Sequence, residues 1–167
     1  MVDCDSPYPH IQERSEAILQ QEINMAMHVS CSHVVLDLPT KGPCIDNFAG
    51  IINRYLQNLT LQQKFVIRLT LPGNDAAAER VYQRYLELKH LLEHSVYLSV
   101  MLVVGADLPS ASLIYRFFGE KVYAVQLSTS AFISNQKGFP VLSKAHQSIC
   151  KQFMKIQARF VLQPKHP

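Results

Sequence analysis

Tryptophan is absent from this sequence of 167 residues, and glycine occurs only six times. The six, Gly42, Gly50, Gly73, Gly105, Gly119 and Gly138, are all isolated. That excludes a Gly-x-Gly-x-x-Gly turn or a P-loop, both of which need clustered glycines to bring backbone N–H groups against a phosphate. No Gly-x-Ser-x-Gly elbow occurs either, so an exposed serine nucleophile of that kind is excluded. The four cysteines, Cys4, Cys31, Cys44 and Cys150, form no Cys-x-x-Cys pair and read as free thiols in a reducing compartment. Basic residues are scattered singly and the formal charge is only +3, which argues against nucleic acid as a partner. The longest apolar stretches, such as Val100 to Val104, fall far short of the roughly 20 residues that cross a bilayer. Met1 to Arg14, with Asp3, Asp5, Pro7, Pro9 and Glu13, lacks the basic-then-apolar layout of a signal peptide.

What is present is a recurring helix-then-strand pattern in a chain that is 48% hydrophobic. Ile18, Leu19, Ile23 and Met27 fall at helical spacing within Ile11 to His28, with Ser15 as a candidate cap, and lead into the apolar run His33 to Leu38. Ile45 to Leu59 carries an apolar face of Phe48, Ile51, Ile52, Tyr55, Leu56 and Leu59, followed by a strand Phe65 to Leu69. Asp75 is a candidate N-cap for a helix reaching about His94, with a strand Val96 to Val104 halted by Gly105. Ser110 to Phe118, closed by Gly119, precedes a strand Val122 to Leu127, and a helix Val141 to Ile156 precedes a strand Ala158 to Leu162. Five such units, with strands apolar on both faces and short connections, predict an α/β fold in one domain: a parallel sheet covered by helices. An open doubly wound sheet and part of a (β/α)8 barrel both satisfy this pattern. The ends, residues 1–10 and 163–167, are expected to be disordered or extended.

In either architecture chemistry belongs at the carboxyl ends of the strands. There Asp37 and Asp107 are candidate paired carboxylates and Arg68 a candidate anion clamp, as in a stand-alone barrel enzyme; the same residues also serve as loop caps or interior ions. His90 and His94 share a helix face at i, i+4, but without the Glu of a His-Glu-x-x-His zinc motif. Tyr82, Tyr85, Phe117 and Phe118 read as packing residues. No metal site and no cofactor pocket emerges.

The stretch VGADLPSASLIYRFFGEKVYAVQLSTSAFISNQKGFPVLSKAHQ, from Val104 to Gln147, is more specific. Its Gly105-Ala106-Asp107-Leu108-Pro109, Phe118-Gly119-Glu120, Ser130 with Phe132, and Lys137-Gly138-Phe139-Pro140-Val141-Leu142-Ser143-Lys144 before His146-Gln147 resemble the N-terminal barrel domain of the type II protein arginine methyltransferases, which form symmetric dimethylarginine. Weaker likeness extends over about Asp5 to Leu162.

This resemblance implies a TIM-type barrel rather than an open sheet, with five units corresponding to roughly the third to seventh strands of an incomplete barrel. It implies a scaffold, inactive by itself, in a cytoplasmic or nuclear protein of the methylosome. The S-adenosylmethionine loop and paired catalytic glutamates lie in a following catalytic domain of the same enzyme. The implied partners are that domain, a WD-repeat protein, and adaptor proteins bearing a short acidic, Phe-containing peptide. Carried over residue by residue, Asn135 would hydrogen-bond the adaptor peptide, Lys137 would face its acidic groups and Phe139 would pack on its aromatic ring. Gln136 stands where a second lysine can occur, and the other wall of the groove would come from a helix beyond Pro167. The residues themselves agree in kind, since Gly138 allows a close backbone turn, Pro140 stiffens its exit, and an aromatic beside a cation suits an acidic peptide. An ordinary strand-to-helix loop with Pro140 in the first helical turn fits the same residues. The family's acidic, Trp-rich insertion is replaced here by Pro72-Gly73-Asn74-Asp75-Ala76-Ala77-Ala78-Glu79-Arg80.

A five-stranded sheet taken from a closed barrel exposes two unpaired edges, a recognised cause of association. Sedimentation of the isolated chain should therefore show self-association. A monodisperse monomer with a sharp cooperative melt would indicate a complete open sheet instead.

Overall fold

The computed structural model describes residues 6, 8–39, 45–56, 64–93, 98–134, 136–137, 140–155 and 159–162. Along the chain run α1 (Pro9–His28), β1 (His33–Asp37), α2 (Ile45–Leu56), β2 (Lys64–Leu71), α3 (Asp75–Leu91), β3 (Leu98–Val104), α4 (Ala111–Arg116), β4 (Val122–Leu127), β5 (Phe132–Ser134), β6 (Pro140–Leu142), α5 (Lys144–Lys155) and β7 (Arg159–Leu162). A single 3-10 turn, Phe117–Gly119, extends α4. The chain divides into two units, one of Met1–Ile67 with Tyr82–Leu98 and one of Arg68–Val81 with Ser99–Pro167.

In the first unit, the start of α1 is fastened from outside the helix. The Ser6 hydroxyl accepts the Tyr8 N–H at 3.3 Å, and the Ser6 carbonyl accepts from the Gln12 side chain at 2.7 Å. Pro9 takes the first helical position, where its missing N–H costs nothing. Ser15, the expected cap, is instead buried inside the helix, which begins at Pro9. The helix ends on Ser30 in the left-handed region at φ 57°. There Cys31 N–H reaches back to Ala26 O at 2.9 Å and Ser30 N–H to Met27 O at 3.0 Å, the paired closure of a Schellman turn.

Leu19 and Ile23 of α1, Ile45, Phe48, Ile51 and Ile52 of α2, and Tyr85, Leu88 and Leu92 in and after α3 form this unit's buried faces. Tyr55 donates from its hydroxyl to Gln20 O at 3.2 Å, joining α2 to α1. Asn53 closes the end of α3: its Nδ2 donates to Leu91 O at 2.9 Å and its Oδ1 accepts from Glu93 N–H at 3.1 Å. A side-chain amide thus stands in for the peptide group that the helix lacks beyond its last turn. β1 lies beside β2, with Lys64 N–H bonded to Ser32 O at 3.0 Å. Only Leu36 of β1 is buried, as fits an edge strand, whereas Phe65, Val66 and Ile67 of β2 are buried consecutively, as fits a strand covered on both faces.

In the second unit the order is β2, β3, β4, β7. β3 and β4 are parallel, as are β4 and β7. The β3–β4 register slips between Val100 and Met101, which face Val122 and Ala124. Leu69, Val100, Leu102, Ala124 and Val125 are fully buried, each large apolar chain contributing about 1.5–3 kcal/mol. Against them lie the buried faces of α4 (Leu113, Ile114) and α5 (Ile149, Phe153). β5 and β6 form a separate antiparallel pair, Phe132 facing Leu142, Ile133 facing Val141 and Ser134 facing Pro140.

That hairpin corrects the expected last unit. Val141 lies in a strand, not in a helix, and α5 begins only at Lys144. Pro140 opens β6, a position where no ladder N–H is required of it, so it does not sit in a helical turn. The α3 cap is corrected by one residue. Asn74 Oδ1 accepts the Ala77 N–H at 3.1 Å, which frees the Asp75 carboxylate to take Ser110 N–H at 2.6 Å.

The same loops meet at Gly73. A Cβ there would overlap the Asp107 side chain and stand 3.1 Å from its carbonyl carbon. Gly50, in α2, has nothing within 4 Å of the same position. Gly73→Ala should therefore destabilise by about 1–3 kcal/mol through overpacking. Gly50→Ala should stabilise by about 0.5–1 kcal/mol through chain entropy. Urea unfolding of the two variants checks the opposite signs.

Candidate functional site

The carboxyl ends of β3 and β4 and the segment leading into α5 hold a connected set of polar contacts. Ser143 precedes α5 as its cap, with its hydroxyl 3.3 Å from the His146 N–H. The same hydroxyl lies 2.6 Å from His146 Nδ1, and His146 Nε2 lies 2.8 Å from Gly105 O, just beyond β3. A carbonyl only accepts, so the proton is on Nε2, and Nδ1 takes the hydroxyl proton of Ser143. The imidazole is 3% exposed and both nitrogens are satisfied, so it is a positioning group that pins the first turn of α5 to the end of β3. Gln147 adds a second tie, donating from Nε2 to Leu142 O at 2.7 Å, which fixes β6 against the same turn.

Beside it, Ser128 N–H continues the ladder to Val104 O at 2.9 Å, and the Ser128 and Ser130 hydroxyls are 2.9 Å apart. A 3-10 turn, Thr129–Ala131, then delivers the chain into β5. The hairpin that follows is therefore anchored at both roots: by the Ser128 turn at β5 and by Ser143, His146 and Gln147 at β6. Its tip carries the candidate docking residues. Gln136 and Lys137 form an exposed turn; Asn135, Gly138 and Phe139 lie outside the described residues. Ile133, on the hairpin arm, is 55% exposed, an unusual placement for a β-branched apolar residue in a strand.

The strand-end alternative fares differently. Asp37 ends β1 in the first unit and is exposed, whereas Arg68 (half-buried in β2) and Asp107 (exposed, against Gly73) belong to the second. Asp107 and its neighbours Asp75 and Ser110 hold two loops together, an architectural task. Gly73, the glycine of the β2–α3 loop, has its open side filled by Asp107. His90 is exposed on α3 and His94 lies outside the described residues. Among the described residues no group of three His, Cys, Asp or Glu side chains is placed to hold a metal, and no helix is long and apolar enough to cross a membrane. Cys31 is exposed and Cys150 half-buried. Burial pushes the Cys150 thiol above its ordinary range, an effect its backbone hydrogen bond partly offsets.

Comparison with known sequences gives a consistent result. The family described as the PRMT5 TIM barrel domain matches residues 1–166. Protein arginine N-methyltransferase 5 of Oryza sativa subsp. indica is 32% identical over 176 residues, covering 96% of this chain and 27% of that protein. Protein arginine N-methyltransferase 5 of Xenopus laevis is 26% identical, covering 99% and 29%. Protein arginine N-methyltransferase skb1 of Schizosaccharomyces pombe is 24% identical, covering 96% and 26%. The chain thus spans little more than a quarter of the length of these relatives.

Replacing His146 tests the anchoring role. His146→Ala leaves Gly105 O without its imidazole donor and the Ser143 hydroxyl proton without its acceptor, and should cost about 1–3 kcal/mol in chemical unfolding. It should also speed amide exchange in 140–147 while leaving β2 unchanged.

Proposed function

Since the chain belongs to the PRMT5 TIM barrel domain family, with its α/β barrel-type fold, we propose that it is a partner-docking scaffold of a protein arginine methyltransferase, with the β5–β6 hairpin as its docking element. The ligand is a short acidic peptide containing Phe, presented by an adaptor protein. Lys137 at the exposed tip supplies the cation, Asn135 a hydrogen bond to the peptide backbone, Gln136 a second polar contact and Phe139 the aromatic anchor. The observation that carries this reading is the hairpin itself. A three-residue pair is too short to stabilise a fold, yet both of its roots are pinned, with Gln136 and Lys137 exposed in the turn between its strands. Rigid placement of a loop is what lets it bind without a large ordering cost.

In this reading the chain performs no methyl transfer. Symmetric dimethylation with S-adenosylmethionine belongs to the catalytic domain of the longer enzyme, and the barrel brings substrate to it. A WD-repeat partner, assembly in the methylosome, and residence in cytoplasm or nucleus belong to the same proposal. Support for it comes from family membership over nearly the whole chain and from the Lys137-Gly138-Phe139-Pro140 run that the hairpin tip carries.

A fluorescein-labelled acidic peptide containing one Phe should bind the chain with a micromolar-range Kd. Phe139→Ala and Lys137→Glu should each weaken binding by roughly tenfold, about 1.4 kcal/mol. Unchanged affinity in both variants would remove the hairpin from the site.

A further inference from the structure

Outside the hairpin, the most unusual surface belongs to α5. Lys144, Ser148, Lys151 and Lys155 recur at i, i+4, i+7 and i+11, and all four are exposed. That spacing places them on one face of the helix, over a rise of about 16 Å. Every charged side chain of α5 is a lysine, and its first turn contains no acidic residue. The first turns of α1 and α4 likewise hold no acidic residue, whereas those of α2 and α3 hold Asp46 and Asp75. A lysine at the start of a helix adds to the positive end of the macrodipole instead of offsetting it, a locally unfavourable arrangement. The buried face of the same helix, His146, Ile149 and Phe153, is fully engaged, so the lysine face is held outward and cannot turn away.

We propose that the lysine face of α5 is a docking surface for an acidic protein segment, distinct from the hairpin tip and independent of whether the tip binds its peptide. Charge complementarity selects the occupant. Three cations over this length match a segment with carboxylates one to two helical turns apart. Ser148 supplies a neutral hydrogen-bonding group among them, and exposed Met154, beside the face at its far end, supplies an adaptable apolar contact. Nucleic acid is less well suited, because three phosphate contacts give little affinity at physiological salt and the face carries no aromatic ring for stacking. A bilayer surface is less well suited again, since the face has one apolar side chain and no apolar stripe to insert.

The probe is a labelled twelve-residue oligoglutamate containing no Phe, titrated against the 167-residue chain by fluorescence anisotropy at low and at physiological salt. Binding should weaken with salt, and Lys144→Glu/Lys151→Glu/Lys155→Glu should lower affinity at least thirtyfold with unchanged circular dichroism. The charge-matched control Arg14→Glu/Arg80→Glu/Lys121→Glu, all exposed positions elsewhere, should lower it less than threefold. Lys137→Glu should leave it within twofold, which separates this surface from the hairpin. Equal loss in the α5 variant and the charge-matched control would overturn the proposal in favour of a general charge effect. No detectable binding at low salt would also overturn it. Tighter binding of a twelve-nucleotide single strand than of oligoglutamate, with the same dependence on the three lysines, would overturn it in favour of nucleic acid.

Discussion

A single buried imidazole organises the functional end of the second unit. His146 reaches from the first turn of α5 to the carbonyl at the end of β3, and its other nitrogen meets the Ser143 hydroxyl that caps the helix. Leaving that part-buried carbonyl unpaired is costly, so the bond favours this start for α5. Once that start is fixed, Gln147 holds β6 by its last carbonyl, and β6 fixes β5 by three residue pairs. The lysine face of α5 follows from the same constraint, because burying His146, Ile149 and Phe153 leaves Lys144, Lys151 and Lys155 facing solvent.

The loops at the ends of β2 and β3 are tied to one another by their own polar side chains. In a barrel-type enzyme those ends hold the reacting groups. Here Asp75 is bonded to Ser110 N–H, and Asp107 fills the space that glycine leaves at position 73. Polar side chains that are used to join neighbouring loops make a rigid rim. The chain belongs to a family whose relatives are almost four times longer than it is.

Much of the architecture was legible in the sequence, for identifiable reasons. The helix and strand of each unit followed from apolar spacing, and Phe65-Val66-Ile67 read as a two-sided buried strand because no polar residue interrupts it. The errors fell where a local pattern had two solutions. Asn74 and Asp75 are both good caps, and the choice depended on Ser110, thirty-five residues away, needing an acceptor. Val141 and Leu142 fit backward extension of α5 as well as a strand, and only pairing with Phe132 and Ile133 decides between them. Ser15 has the chemistry of a cap, but Ser6 with Pro9 starts the helix earlier. His146 was visible only as part of a family-like string; its role required knowing that the end of β3 lies within reach, which no local spacing encodes. Two of the four hairpin residues named from the resemblance, Asn135 and Phe139, lie outside the described residues, while Gln136 and Lys137 stand exposed in the turn between β5 and β6.

The central claim is that partners bind the hairpin between Phe132 and Leu142 and not the strand ends that serve enzymes of this architecture. Amide chemical-shift mapping of the labelled chain, titrated with an acidic Phe-containing peptide, tests it most directly. Saturable shifts concentrated in 132–142, with Gln136 and Lys137 among the largest, are the result the account predicts. Shifts concentrated at Asp37, Arg68 and Asp107, with the hairpin unmoved, would contradict it.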